Sequence, residues 1–276
     1  MLKVLRIDGP VSSQRKLRHG STMHGVQFLA PQLRALPTAY FGRVTGIGMV
    51  LSLQPETRPM RIGVVGLGVG TLSAYARAGD MLRFYEMEPA VIRIARDDGY
   101  FDYVGSSAGE IEITLGDARV SLARERVAGT RQQFDHLIID AFSSDAIPVH
   151  LLTREAFAQY SEAMAPGALL VFHITNRYFA LAPIVLRMGA DLGMTGLVVR
   201  NESIPRVMSM GSEWVILSQD RGLLIALERA MASQYKKSGI APERLRTRLS
   251  AVSENAEIPV WTDDYSDLVG TLRSVE

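Results

Sequence analysis

Three carboxylates follow apolar runs in this chain, and their positions could support chemistry on a nucleoside and an amine. Glu86, Asp117 and Asp140 each stand at the carboxyl end of a stretch that reads as a buried strand. In parallel sheets these strand ends meet at one edge, where ligands bind. A carboxylate there can accept hydrogen bonds from ribose hydroxyls or take a proton from an amine. The positions predict one shared site.

A glycine-rich turn follows the first of these strands. The stretch RIGVVGLGVGTL, residues 61–72, places Gly66, Gly68 and Gly70 at alternate positions. Glycines allow close approach of the backbone to a ligand, and Glu86 stands about 20 residues after Gly66, as in nucleotide-binding folds. The pattern predicts a nucleotide pocket. The other interpretations are a tight turn without a ligand and a surface acid at a strand end.

Asp117 has two interpretations that are compatible with each other. Its carboxylate, after Gly116, could accept a hydrogen bond from an adenine amine. It could equally cap the helix that is predicted to begin at Ala118, because aspartate is a favoured N-cap residue. Both roles can hold at once.

The loop of residues 134–153, FDHLIIDAFSSDAIPVHLLT, is the most informative in the chain. Asp140 could deprotonate or orient an attacking amine, and Asp140 with Asp145 could hold a cationic substrate. Alternatively, Asp145 caps a turn and Asp140 contacts backbone amides only. We predict that both aspartates are catalytic.

Two pairs of residues near the ends of the chain are candidates for the walls of the pocket. His24 and Gln27 precede the nucleotide fold, where they could contact substrate and donor, or belong to a hydrogen-bonded loop. Asp264 and Tyr265, in WTDDYSD near the C-terminus, could cover the opposite side and bind substrate, or merely lie in solvent. We carry all four as candidate binding residues.

The elements that must position these residues alternate regularly between strands and helices. This alternation predicts an α/β, Rossmann-like fold with a mostly parallel sheet and helices on both faces. We expect an N-terminal β segment over residues 1–42, with a hairpin of 2–8 and 14–18, and a nucleoside-binding domain over 43–276. The tail from Gly222 is predicted to hold one or two basic helices, and 43–54 fits a helix or a strand. The predicted elements are strands 62–66, 82–87, 111–115, 135–140, 168–174, 195–200 and 213–218, and helices 70–78, 89–97, 118–126, 153–164 and 181–192.

Composition narrows the classes of function. The 276 residues include 30 Lys and Arg against 29 Asp and Glu, so no charge excess favours nucleic acid or an anionic membrane as the main partner. There is no cysteine, which removes disulfides, thiolate nucleophiles and thiolate metal sites. The five histidines lack the spacing of a ligand pair, so we expect no metal. No apolar run is long enough to span a membrane, and we expect a cytoplasmic chain.

Several motifs together resemble one family. The segments VVGLGVGTL, YEMEP, LGDAR, DAFSSDAIPVHLLTREAF, HITNRY and TDDYSDL resemble the spermidine synthase-like (polyamine aminopropyltransferase) family over residues 2–272. The likeness is strongest to the branch that forms the cytosolic part of proteins fused to a transporter-like membrane region. It implies a class I S-adenosylmethionine-dependent methyltransferase-type fold, a small N-terminal β-domain and a homodimer.

The resemblance also implies roles. Such enzymes transfer an aminopropyl group from decarboxylated S-adenosylmethionine to an amine or polyamine, releasing methylthioadenosine. Gly66, Gly68 and Gly70 would line the nucleoside and methionine-derived part, with Glu86 on the ribose and Asp117 on the adenine. Asp140 would activate the amine and Asp145 would help to hold it, while His24, with Gln27 nearby, falls where the family carries a Tyr-His or Tyr-Gln pair.

The departures from the family pattern concern the donor. The family glycine loop, GGGDGG, contains an aspartate that engages the donor amine, and Val69 occupies that position here. The spacing of Asp140, Asp145 and the proline, here Pro148, is also stretched. Intact S-adenosylmethionine is therefore the alternative co-substrate, for methyl transfer or internal cleavage. The remaining alternative is a nucleoside-binding domain without catalysis.

Overall fold

A computed structural model of the chain describes residues 1–9, 12–20, 22–53, 58–142, 147–251 and 256–273. Its first element is a three-stranded antiparallel sheet of β1 (Leu2–Ile7), β2 (Gln14–His19) and β3 (Thr22–Phe28). The predicted hairpin is present as β1 and β2. The strand β3 was not predicted, because its polar residues and Gly25 argue against a central strand, whereas here it lies at the edge of a small sheet.

The second sheet has eight strands and carries the cleft described below. Its strands are β4 (Arg61–Val65), β5 (Met81–Glu86), β6 (Glu110–Leu115), β7 (Phe134–Ile139), β8 (Met164–His173), β9 (Thr195–Asn201), β10 (Ser212–Ser218) and β11 (Leu245–Ser250). They lie in the order β11-β9-β10-β8-β7-β4-β5-β6. Strands β4 to β8 pair in parallel, and β10 is antiparallel to both of its neighbours. The chain order reverses at β4, which lies between β5 and β7, so a ligand crevice is expected beside it.

Six α-helices accompany the sheets in the described part of the chain. They are α1 (Gly46–Ser52), α2 (Pro89–Ile92), α3 (Ala118–Val127), α4 (Arg154–Ala163), α5 (Ala182–Asp191) and α6 (Arg221–Lys237). Within 43–54, whose assignment was open between helix and strand, Gly46–Ser52 form the helix α1, which Thr45 caps by accepting a hydrogen bond from the Gly48 amide. Residues 93–97 continue α2 as a π-helical turn. None of the described helices combines the length and the apolar character that a membrane span requires.

The central strands carry adjacent buried apolar residues because both faces of the sheet are covered. Ile138 and Ile139 are adjacent on β7 and fully buried, but they belong to two different hydrophobic clusters. Successive side chains of a strand point to opposite faces, so each cluster is the core on one face. This arrangement confirms the predicted α/β fold with a doubly covered sheet.

The helix predicted over 70–78 is wrong in length and type. Only a short 3₁₀ turn forms, at Thr71–Tyr75, and Ala76 is already extended. The buried Asp80 accepts hydrogen bonds from the backbone amides of Met60 and Arg77 at 2.8 and 2.9 Å, which fixes a turn into β5. The competing side-chain contacts of aspartate end the helix before a second turn can form.

The C-terminal region contains the basic helix α6, in agreement with the prediction of one or two such helices. Residues 245–250 form the edge strand β11, which was not predicted. Along this strand Arg246 and Arg248 are exposed while Leu245 and Leu249 are partly buried. This alternation of exposed and partly buried residues is typical of a strand. The strand was not predicted because the arginines were interpreted as the solvent-exposed face of a helix.

Candidate active site

A cleft of about 1530 Å³ lies at the carboxyl ends of the parallel strands. It is lined by Glu86, Asp117 and Asp140, which follow or end β5, β6 and β7. His24 of β3 lines the same cleft. The sequence therefore predicted correctly that the three carboxylates share one cavity.

Glu86 is held by backbone amides at the mouth of the glycine loop. One carboxylate oxygen accepts a hydrogen bond from Leu67 N at 2.9 Å, and the other accepts from Glu88 N at 2.9 Å. Burial raises the pKa of Glu86, and the amide hydrogen bonds oppose this rise. Each carboxylate oxygen can accept a second hydrogen bond, so the side chain retains acceptor capacity for a diol.

Asp117 fulfils the capping role and also lines the cleft. Its Oδ1 accepts a hydrogen bond from Val120 N at 3.0 Å at the start of α3. Its Oδ2 lies 3.2 Å from Nε2 of His150, another cleft residue. The N-cap interpretation is correct, and the carboxylate is still placed where a ligand could reach it.

Asp140 pairs with a histidine on the neighbouring strand. Its Oδ1 lies 2.7 Å from Nδ1 of His173, whose Nε2 lies 2.7 Å from Oγ1 of Thr175. Thr175 Oγ1 also accepts a hydrogen bond from the backbone amide of Glu213 at 2.9 Å. Asp140 and His173 are only 14% and 3% exposed. The interpretation that Asp140 contacts only backbone amides is therefore wrong.

His24 faces the cleft with a buried ring nitrogen. Its Nε2 has no hydrogen-bond partner among the described residues. Burial lowers the pKa of His24, the nearby charge of His19 lowers it further, and the charge of Asp140 raises it. At neutral pH the ring is therefore neutral, and it can donate or accept a hydrogen bond with a bound molecule.

The glycine loop reaches the cleft through two of its three glycines. Gly66 and Gly68 line the cleft and have positive φ values of 99° and 56°. A Cβ on Gly66 would lie 2.6 Å from the Asp140 carbonyl oxygen, and one on Gly68 would collide with the His24 carbonyl oxygen. Gly70 is not a lining residue, and a Cβ there would lie 2.6 Å from Val104. Its assignment to the donor site is corrected, since its missing side chain makes room for protein.

Gln27 is also corrected, because the structure places it outside the cleft lining. It is fully buried, and its amide nitrogen donates to the Arg34 carbonyl oxygen at 3.1 Å and to the Asp102 carboxylate. Its amide oxygen accepts from Asp102 N at 3.2 Å. These contacts occupy its amide group, so Gln27 ties β3 to the 102 region rather than binding a ligand.

Asp264 and Tyr265 are exposed and are likewise absent from the residues that line the cleft. Tyr265 pairs with Thr262 through the backbone in a tight turn. Their preceding neighbour, Asp263, instead makes a bidentate ion pair with Arg119 at 2.7 and 2.8 Å. The substrate-binding prediction for Asp264 and Tyr265 is therefore corrected, and Asp145 lies outside the described residues.

Comparison with known proteins adds three relatives. A polyamine aminopropyltransferase of Vibrio vulnificus is 29% identical over 157 residues, which are 56% of this chain and 49% of that protein. An N-terminal histidine N-methyltransferase of Emericella nidulans is 36% identical over 93 residues, 33% of this chain and 16% of that protein. The crystal structure of a probable spermidine synthase from Corynebacterium glutamicum matches with a TM-score of 0.66 at 15% identity, over 96% of this chain and 94% of that one. The chain shares the fold of this probable spermidine synthase.

The likeness to the probable spermidine synthase is one of fold. The structural match covers nearly all of both chains, which confirms the predicted Rossmann-like fold with a small N-terminal β sheet. The chain spans about half the length of the Vibrio vulnificus relative, and less of the other curated relative. No family model matches the chain.

Two residues of the site were missed from the sequence. His173 follows the apolar run of β8, in a polar stretch that the sequence places at a strand end without giving it a role. His150 lies in the loop before α4 and meets Asp117 only because the chain folds back over 33 residues. The sequence signal that could have identified His173 is its position at the end of β8, because β8 pairs with β7 and Asp140 directly follows β7.

Proposed function

We propose that this spermidine synthase-like chain is an aminopropyltransferase that uses a decarboxylated S-adenosylmethionine-type donor and an amine acceptor. The observation that carries the proposal is the convergence of Glu86, Asp117 and Asp140 on one cleft beside the glycine loop. The Vibrio vulnificus relative supports the same activity. Glu86 and Asp117 are assigned to donor binding, and Asp140 is assigned to the acceptor amine.

Donor binding follows from the free acceptor capacity of the carboxylates. Glu86 has one amide hydrogen bond on each oxygen and can accept one more on each, which suits the two hydroxyls of a ribose. Asp117 Oδ1 is engaged at the α3 N-cap, while its Oδ2 lies 3.2 Å from Nε2 of His150. That oxygen is assigned to the adenine amine. The short distance from the glycine loop to the backbone of Asp140 brings donor and acceptor sites together.

The transfer step needs one base and accurate positioning. The amine nitrogen attacks the aminopropyl carbon next to the sulfonium, forming a C–N bond as the C–S bond breaks. The electron pair of the broken bond passes to sulfur and gives neutral methylthioadenosine. Asp140, which is partly exposed to the cleft, accepts the proton that the amine loses. Alignment of the two reactants supplies much of the rate.

The test is a product assay with both substrates. The protein is incubated with decarboxylated S-adenosylmethionine and a panel of diamines and polyamines, and methylthioadenosine and the aminopropylated amine are quantified. Equal amounts of both products, with none when the amine is omitted, are expected. The absence of methylthioadenosine with every amine in the panel contradicts the proposal.

One observation favours a second candidate, the use of intact S-adenosylmethionine. Over 93 residues, which are 33% of this chain, the chain is 36% identical to an N-terminal histidine N-methyltransferase. Incubation with intact S-adenosylmethionine separates the options. S-adenosylhomocysteine as product indicates methyl transfer, and methylthioadenosine without an amine indicates internal cleavage.

A further inference from the structure

We propose that His173 is a positioning residue that fixes the orientation of Asp140 by donating a hydrogen bond from Nδ1 to the Asp140 carboxylate. The expected effect on catalysis rests on the proposed function. The hydrogen bond itself is inferred from the geometry of four side chains. It assigns a role to His173, which the HITNRY segment contains but to which the sequence analysis gives no role.

Strand pairing brings the two side chains together. Ile139 of β7 is paired with Phe172 of β8 in the parallel register. Asp140 directly follows β7 and His173 is the last residue of β8, so the residues next to this pair lie side by side. Their short contact, 2.7 Å between Oδ1 and Nδ1, therefore follows from the backbone rather than from a chance rotamer.

The hydrogen-bond partners determine which nitrogen carries the proton. Nδ1 of His173 faces an acceptor, the Asp140 carboxylate, so it must be the donor of that bond. Thr175 Oγ1 accepts the Glu213 amide and has its own hydroxyl proton to donate to Nε2 of His173. The network therefore favours the tautomer with a proton on Nδ1.

The ring itself has little freedom to move. It stacks on Trp214 with a centroid distance of 4.1 Å and an interplanar angle of 9°, and Phe142 packs edge-on at 4.9 Å. Trp214 is fixed in turn, because its Nε1 donates to Ser212 Oγ at 3.0 Å. His173 is therefore an aligned donor, and the carboxylate it holds cannot rotate freely away from the cleft.

This arrangement divides the two oxygens of Asp140 between two tasks. Oδ1 is occupied by His173, which leaves Oδ2 to accept the proton of an attacking amine. Displacing a reacting group by about 1 Å can cost about 10²-fold in rate, so a fixed carboxylate has a direct effect on turnover. The competing view is that His173 is only an aromatic core residue that stacks on Trp214.

Two substitutions separate the hydrogen bond from the stacking. His173→Phe keeps an aromatic ring for Trp214 but has no donor, whereas His173→Asn keeps an amide donor near the place of Nδ1 and loses the ring. We expect kcat to fall about 10²-fold in His173→Phe and less than about 10-fold in His173→Asn, with the donor dissociation constant changed less than twofold in both. The reverse order of the two kcat values overturns the proposal, because it is the order that a packing role predicts.

A second pair of variants acts without touching the ring. Thr175→Val removes the hydroxyl that orients Nε2, and Thr175→Ser restores it. We expect kcat to fall several-fold in Thr175→Val, on the order of 10-fold, and to recover in Thr175→Ser. If either His173 variant fails to fold, this pair still decides: an unchanged kcat in Thr175→Val contradicts the orienting chain.

Nuclear magnetic resonance tests the pairing without any turnover. With the imidazole nitrogens labelled by ¹⁵N, the His173 signals are identified by their loss in His173→Phe among only five histidines. A protonated Nδ1 is expected, and a bare Nδ1 overturns the proposal. If the wild-type protein forms no methylthioadenosine, the proposed function fails, while this spectrum still decides on the His173–Asp140 bond.

Discussion

The side chain of Val69 packs against Gly25 of β3 and not into the cleft. Val69 is 1% exposed, and a Cβ built on Gly25 would lie only 3.2 Å from the Val69 Cβ. It forms a small hydrophobic cluster with Leu17, Phe101 and Tyr103. The side chain at the position of the family aspartate thus joins the glycine loop to the N-terminal sheet. From there it cannot select between intact and decarboxylated donors.

Val69→Asp is therefore expected to destabilise the protein without changing donor preference. A carboxylate in this apolar cluster has no partner, and an uncompensated buried charge costs about 3–5 kcal/mol. Urea denaturation measures the loss, and Val69→Thr, of nearly the same volume and uncharged, is the control with a smaller effect. A stable Val69→Asp protein whose ratio of kcat/KM for the two donors has changed would contradict this placement.

Asp140→Asn is expected to lower kcat by about 10²- to 10⁴-fold, the usual contribution of a general base. The substitution keeps the size of the side chain and leaves the donor dissociation constant within a factor of two. Asp117→Asn is the matched control, because asparagine still caps α3 and the residue lies in the same cleft. We expect that control to weaken donor binding with little change in kcat. Equal losses of kcat in both variants would argue against Asp140 as the base.

The raised pKa of Glu86 predicts that donor binding depends on pH. Because burial raises its pKa, the carboxyl gains its proton at a pH above the ordinary value of 4.5. A protonated group loses the charge that strengthens hydrogen bonds from hydroxyls. Donor affinity should therefore begin to fall, as pH is lowered, while the pH is still above 4.5. Calorimetry across this range checks the effect, which should be absent in Glu86→Gln.

The part of the site that the sequence predicts is the part that depends on local pattern. Glu86, Asp117 and Asp140 were found because each ends a buried strand, and parallel strands place their ends together whatever the loops do. Gln27 was misassigned and the surroundings of Val69 were not predicted, because their neighbours are distant along the chain. Gln27 of β3 bonds to Asp102, and Val69 packs against Gly25 of β3. His173 was missed for the related reason that its partner is set by the pairing of β7 with β8.

Gln27→Leu tests the corrected role of Gln27. The substitution keeps the volume but leaves the Asp102 amide and the Arg34 carbonyl without their partner. An unsatisfied buried group costs about 1–3 kcal/mol, and because these two groups are only part-buried, we expect a total loss of about 1–3 kcal/mol in the free energy of unfolding. The KM for the donor should not change in the folded protein. A higher KM at unchanged stability would instead return Gln27 to the binding site.

The C-terminal turn is held by one carboxylate. Asp263 binds Arg119 in a bidentate pair and accepts a hydrogen bond from Thr153 Oγ1 at 2.8 Å. Thr153 is also the N-cap of α4, so this contact joins the turn to the start of a helix. The hydrogen bond from Arg119 is the main cause that lowers the pKa of Asp263 to about 2.

Asp263→Asn is expected to remove a small, acid-sensitive contribution to stability. Because the folded pKa lies below the unfolded value of about 3.9, the contribution is complete above that pH and is lost as pH falls toward 2. The side chain is 44% exposed, so solvent screening limits the contribution to about 1 kcal/mol. Urea denaturation at pH 7 and pH 3 measures this contribution, and faster hydrogen exchange over 256–273 should accompany its loss.

Asp264→Asn is the control, because Asp264 is the next residue and its side chain is exposed. This variant should change neither the stability, nor the hydrogen exchange, nor the KM for the amine. A raised KM in that control alone would restore Asp264 as a substrate-binding residue.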